Sequence, residues 1–131
     1  MPRLGLTDWY DISINQSVQN DPVKIACLLL KRIKTTTETR RSRLLFVMQW
    51  SGPMVRNWRA RPREAVDVLA CAKRYGLEII DTWDPLRAAS VSNPKQFEAL
   101  YLGRPGQVDG HMSRAGNEFI ADLLAPILRG Q

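Results

Sequence analysis

The chain has 131 residues, 44% of them hydrophobic and 24% charged, with a formal net charge of +6. That length and balance fit one ordinary globular domain with a modest core. There is no apolar run of about eighteen residues to cross a membrane, and the start, MPRLGLTDWYDIS, lacks the long apolar stretch of a signal peptide, so the cytoplasm is the expected location.

Residues 1–20 carry only a weak strand signal, with Trp9, Ile12 and Ile14 in partial alternation, and then the polar run SINQSVQN. Asp21 can cap a helix, and Pro22 suits its first position, where a missing N–H costs nothing. VKIACLLLKRIK then places Val23, Ala26, Cys27, Leu30 and Ile33 on one face. Ile25, Leu28 and Leu29 widen that face, which predicts a mostly buried helix that frays out in TTTETRRSR. Arg43 to Trp50, RLLFVMQW, holds a run of five apolar residues from Leu44 to Met48. A short strand apolar on both faces belongs inside a parallel sheet covered by helices. Ser51-Gly52-Pro53 ends it, and MVRNWRARP reads as a linker.

A second helix is predicted from about Pro62 to Tyr75, with Gly76 as its stop. Leu77 to Asp84, LEIIDTWD, reads as another buried strand, giving a strand–helix–strand unit of right-handed crossover. Asp84-Pro85 and Asn93-Pro94 open short helical turns. GRPGQVDG is a loop, and the last helix runs from about Ser113 to Leu128, with Phe119, Ile120, Leu123, Leu124 and Ile127 on one face. The expected fold is α/β: a single domain over 1–131, with a narrow parallel sheet of two or three strands between helices. Its exposed edges invite self-association into a homo-oligomer.

The two cysteines, Cys27 and Cys71, sit in separate predicted helices and form no CxxC pair, so buried reduced thiols are expected. One histidine and two distant cysteines do not make a zinc site, and no metal or cofactor is implied. Between Lys31 and Arg63 lie ten basic residues and one acid, Glu38. That stretch is either a solvated arginine-rich surface or, with Trp50 and Trp58 as stacking platforms, an anion-binding face. No helix-turn-helix, zinc-finger or RNP-like pattern accompanies it, so nucleic acid is not the expected partner.

The one histidine, His111, follows Asp109-Gly110 in the loop before the last helix. In open α/β sheets the functional crevice lies beyond the carboxyl ends of the strands, and this loop can overlie it. Asp109 could accept the Nδ1–H of His111 and support the imidazolium formed in acyl transfer. The plain reading is a turn followed by a pre-helix residue.

Asp109-Gly110-His111, followed by Ser113, Gly116-Asn117 and the helix containing IADLL, resembles the C-terminal block of the SGNH (GDSL-like) hydrolases, and the order of elements over about 20–131 resembles the second half of such a domain. The resemblance implies a three-layer α/β/α fold and hydrolysis of an ester or acyl substrate. It assigns His111 as the base and Asp109 as its orienting acid. In the family a serine from a Gly-Asp-Ser block attacks the carbonyl, and a Gly and an Asn help to form the oxyanion hole. The chain holds no Gly-Asp-Ser block, and Val108 stands at the commonest position of the acid. Asn20, just before the first helix, is the oxyanion candidate. Ser51, directly after the strongest strand, is the nucleophile candidate. The expectation is an SGNH-like hydrolase domain, truncated or catalytically degenerate. The alternative is a non-catalytic module that binds an anionic ligand on the basic surface.

Overall fold

In the computed structural model, which describes residues 21–130, helix α1 spans Pro22–Thr39. Its start follows from local chemistry, since the Asp21 carboxylate accepts the Lys24 N–H at 3.0 Å and so satisfies one of the free donors of the first turn. The helix outruns its expected end by a full turn. The hydroxyls of Thr35, Thr36, Thr37 and Thr39 donate back to carbonyls three or four residues earlier, and Lys34 pairs with Glu38 at 3.2 Å. The expected burial is only partly met: Cys27 and Leu30 are buried, whereas Ile25, Leu29 and Ile33 are exposed.

Strand β1 is Leu45–Met48. The expected linker after it holds a short helix, α2 (Gly52–Asn57). Helix α3 is Arg63–Arg74 and carries the Lys73 and Arg74 charges at its C-terminal end, where the helix dipole favours them. Gly76, with φ at +67°, turns the chain into β2 (Glu78–Asp81). Helices α4 (Trp83–Ser92), α5 (Pro94–Ala99) and α6 (Arg114–Leu128) complete the described chain. The architecture is mixed α/β, mostly helical, with β1 and β2 paired in a two-stranded parallel sheet. The weak strand signal at Trp9–Ile14 lies outside the described residues. No helix among them is long and apolar enough to cross a membrane.

The chain divides into two compact units. The described part of the first is 21–44 with 62–78, in which α1 packs on α3. Here the expectation of free thiols is corrected: Cys27 and Cys71 form a disulfide, with their Cα atoms 5.6 Å apart. Each cysteine is a buried contact residue of its helix, so packing α1 on α3 brings them within bonding range. In this unit Arg43 also grips Glu78 with two bonds, of 2.9 and 2.6 Å. Hydrogen bonding to the guanidinium, with its charge, holds the Glu78 carboxyl below its usual range.

The second unit is 45–61 with 79–130, and it carries β1, the last three residues of β2, and α2, α4, α5 and α6. Its core includes Val55, Trp83, Leu86, Phe97, Tyr101 and Ile120, all buried. At the carboxyl end of β2, Asp81 is the hub. Its Oδ1 accepts the Trp50 indole N–H at 2.7 Å and the Trp83 backbone N–H at 3.0 Å. Its Oδ2 accepts from Arg61 Nε at 2.5 Å. Arg61 also bonds Asp84 at 2.9 Å and lies 5.7 Å from the centre of the Trp83 ring. Trp50 and Trp83 meet edge to face at 4.9 Å. Asp81 thus supplies the capping bond for α4 that Thr82 does not make. The buried Thr82 hydroxyl instead donates to Met48 O at 2.9 Å, tying β2 to β1.

Candidate functional site

Ser51 stands just beyond the carboxyl end of β1, at the N-cap position of α2. The residue before it fixes its place. Trp50 is buried, bonded through its indole to Asp81, and its carbonyl accepts the Tyr101 hydroxyl at 2.9 Å. Burial pushes the Tyr101 phenol well above its ordinary value, which keeps it neutral and donating. The chain then turns into α2 at Gly52. A Cβ there would lie 2.9 Å from Val108 Cβ and 3.0 Å from both Asp109 O and Tyr101 Cγ. Only a glycine lets the loop come this close.

The loop that approaches is the one carrying Asp109 and His111. Tyr101 and Met112 form an antiparallel bridge. Leu102 N donates to His111 O at 2.8 Å, and Asp109 N donates to Leu102 O at 2.7 Å. Gly52 N reaches Asp109 O at 3.3 Å, and a Cβ on Gly110 would lie 4.0 Å from Ser51 Cβ. The far end of the loop is set by Ser113, whose hydroxyl accepts the Gly116 N–H at 3.2 Å as the N-cap of α6. Gly116 packs so closely under the Leu100 carbonyl that a methyl group there would overlap it. Ser51 therefore lies beside Asp109 and Gly110 in one unit, with His111 next along the loop, though about sixty residues of sequence separate the serine from them.

The side chains themselves are loosely engaged. Ser51 makes no capping bond with its hydroxyl. Asp109 Oδ1 accepts the Gly110 N–H at 2.7 Å. His111 is exposed, and among the described residues its imidazole has no hydrogen bond or ion pair, so no Asp109–His111 or Ser51–His111 bond is formed. Asn20 lies outside the described residues. No group of three or more His, Cys, Asp or Glu side chains among the described residues is gathered as a metal would need.

Half of the ten cations in the basic stretch face acidic partners. Lys34 pairs with Glu38, Arg43 with Glu78, Arg56 with Glu98, Arg61 with Asp81 and Asp84, and Arg63 approaches Asp67 at 3.9 Å. Trp50 is a core residue and no stacking platform, which corrects that part of the binding-surface expectation; Trp58 is 44% exposed. Sequence reasoning missed the Asp81 hub. Its one signal was an aspartate closing an apolar strand, which the expected strand, drawn on to Asp84, ran through.

The chain matches no protein-family model, and neither the curated proteins nor the solved structures give a match.

Proposed function

We propose that the chain is an SGNH-like ester or acyl hydrolase domain in which His111 is the general base, Asp109 its orienting acid and Ser51 the nucleophile. The three-layer α/β/α arrangement of such domains goes with this reading. The observation that carries it is the seating of Ser51. It follows a strand, precedes a helix, keeps its hydroxyl out of the cap, and lies against the Asp109–His111 segment through the Gly52–Asp109 backbone bond. A strand–turn–helix presents a nucleophile above the end of a parallel sheet.

The chemistry is acyl transfer. The Ser51 Oγ bonds to the ester carbonyl carbon while its proton passes to the neutral His111 ring. Asp109 accepts the other ring N–H and stabilises the imidazolium. Its Oδ2 has no partner among the described residues and is free for that bond. The tetrahedral intermediate collapses, the carbon–oxygen bond to the alcohol breaks, and the alcohol leaves with the proton from His111. Water then attacks the acyl-serine by the same route, releasing the carboxylic acid and restoring the serine. Catalytic hydrogen bonds are often long in unliganded enzymes and tighten with substrate.

The anion-binding alternative is the weaker reading, because five of the ten cations it would use already face carboxylates. The disulfide also bears on location. Such bonds persist in oxidising compartments and are rare in the cytosol, so we place the protein in an oxidising setting rather than the cytoplasm.

Hydrolysis of p-nitrophenyl acetate tests the reading. His111→Ala and Ser51→Ala should each lower kcat by at least about 100-fold with the melting temperature unchanged. A His111→Ala variant at full rate removes the assignment.

A further inference from the structure

Tyr101 is buried just beyond α5, and its backbone neighbours hold the loop that carries Asp109 and His111. Leu100 O accepts the Ser113 N–H at 2.9 Å. Leu102 bonds twice, donating its N–H to His111 O at 2.8 Å and accepting the Asp109 N–H at 2.7 Å. Tyr101 itself bridges to Met112. The short edge from Leu100 to Leu102 is therefore the backbone support of the segment from Asp109 to Ser113.

The Tyr101 side chain reaches the serine turn. Its hydroxyl donates to Trp50 O at 2.9 Å, and a Cβ added to Gly52 would lie 3.0 Å from its Cγ. The residues before and after Ser51 thus both rest on one tyrosine. Phe97 braces the ring, with 5.3 Å between ring centres. The direct link between turn and loop is weaker, since the Gly52 N–H reaches Asp109 O at 3.3 Å, longer than most such bonds. Burial also raises the phenol well above its ordinary value, so the hydroxyl stays a donor through the neutral range.

We propose that Tyr101 is a positioning residue, which sets the Ser51 turn against the loop carrying Asp109 and His111 and so fixes the spacing of nucleophile and base. The proposal rests on the ester-hydrolase reading. Tyr101 takes no part in the bond changes, because its hydroxyl is committed to Trp50 O and its ring lies in the core. Its effect comes through distance: a misplacement of about 1 Å between reacting groups can cost about 100-fold in rate.

Tyr101→Phe keeps the ring and deletes the hydroxyl. Ser90→Ala is the matched control, since it deletes another hydroxyl-to-carbonyl bond of the same unit, from Ser90 to Arg87 O at 2.7 Å on α4. Amide hydrogen exchange is followed by NMR, and kcat and KM are measured with p-nitrophenyl acetate. In Tyr101→Phe, exchange at Gly52 and Asp109 should rise at least about fivefold relative to the α4 amides, as expected for one lost hydrogen bond. Its kcat should fall at least about tenfold with KM unchanged. Ser90→Ala should alter neither those two amides nor kcat. Unchanged exchange at Gly52 and Asp109 in Tyr101→Phe, equal acceleration throughout the unit, a loss confined to KM, or a wild-type kcat overturns the positioning role. The local rise in exchange, together with a wild type that hydrolyses nothing, overturns the ester-hydrolase reading and leaves the coupling of the two segments standing.

Discussion

The Cys27–Cys71 bond closes a loop across a sequence separation of 44 residues and joins α1 to α3. Cross-linking removes loop-closure entropy from the unfolded chain, and for this separation the effect is about 4 kcal/mol. Domains have total stabilities of about 5–15 kcal/mol, so this one bond is a large share. The burial of both cysteines, 9% and 6% exposed, adds packing that reduction alone does not remove. Cys27→Ala/Cys71→Ala avoids leaving a buried hydroxyl without a partner. The double variant should melt at least about 10 °C below the oxidised protein, or be unfolded at 25 °C. Reductant should lower the melting temperature of the wild type and leave that of the variant alone. The assay is circular dichroism with thermal and urea unfolding, alongside thiol titration in denaturant. Two titratable thiols in air-oxidised folded protein, or equal melting with and without reductant, would refute the reasoning.

Gly116→Ala should destabilise by more than about 3 kcal/mol, since the methyl overlaps the Leu100 carbonyl and backbone must shift; urea midpoints check it. Asp81→Ala strips the bonds from Trp50, Trp83 and Arg61, and should cost about 3 kcal/mol because the buried indole N–H loses its partner. Its signature is a red-shifted tryptophan fluorescence as Trp50 gains solvent. Tyr101→Phe removes only the bond to Trp50 O and should cost about 1 kcal/mol, measured in the same way. The Glu78 carboxyl is lowered by Arg43 when folded, so its contribution is present above the ordinary glutamate value, about 4.3, and is lost as pH falls through the folded value. The gap in melting temperature between wild type and Arg43→Leu should therefore be small and should narrow below that pH; a gap that widens on acidification contradicts the assignment.

What was legible in the sequence was local. Asp21-Pro22, Asn93-Pro94 and Ser113 each announce a helix start, because a cap is made within three residues. Leu44–Met48 announced a strand by its apolar run. The turn of helix added at Thr35–Thr39 was hidden, since threonine is a poor helix former and its back-bonding hydroxyls appear only once the helix exists. Helix α2 was hidden because remote partners hold it: Arg87 donates to the Val55 and Arg56 carbonyls across some thirty residues. The disulfide and the approach of Ser51 to Asp109–His111 are tertiary facts with no spacing signal. The Asp109-Gly110-His111 pattern and Ser51 could each be read, but their approach in space could not.

The most direct test is labelling with a fluorophosphonate, followed by intact-mass and peptide analysis. The account predicts a single adduct on Ser51, absent in His111→Ala and in Ser51→Ala, with all three proteins folded. A folded wild type that takes no adduct, or one modified at another serine independently of His111, would contradict it.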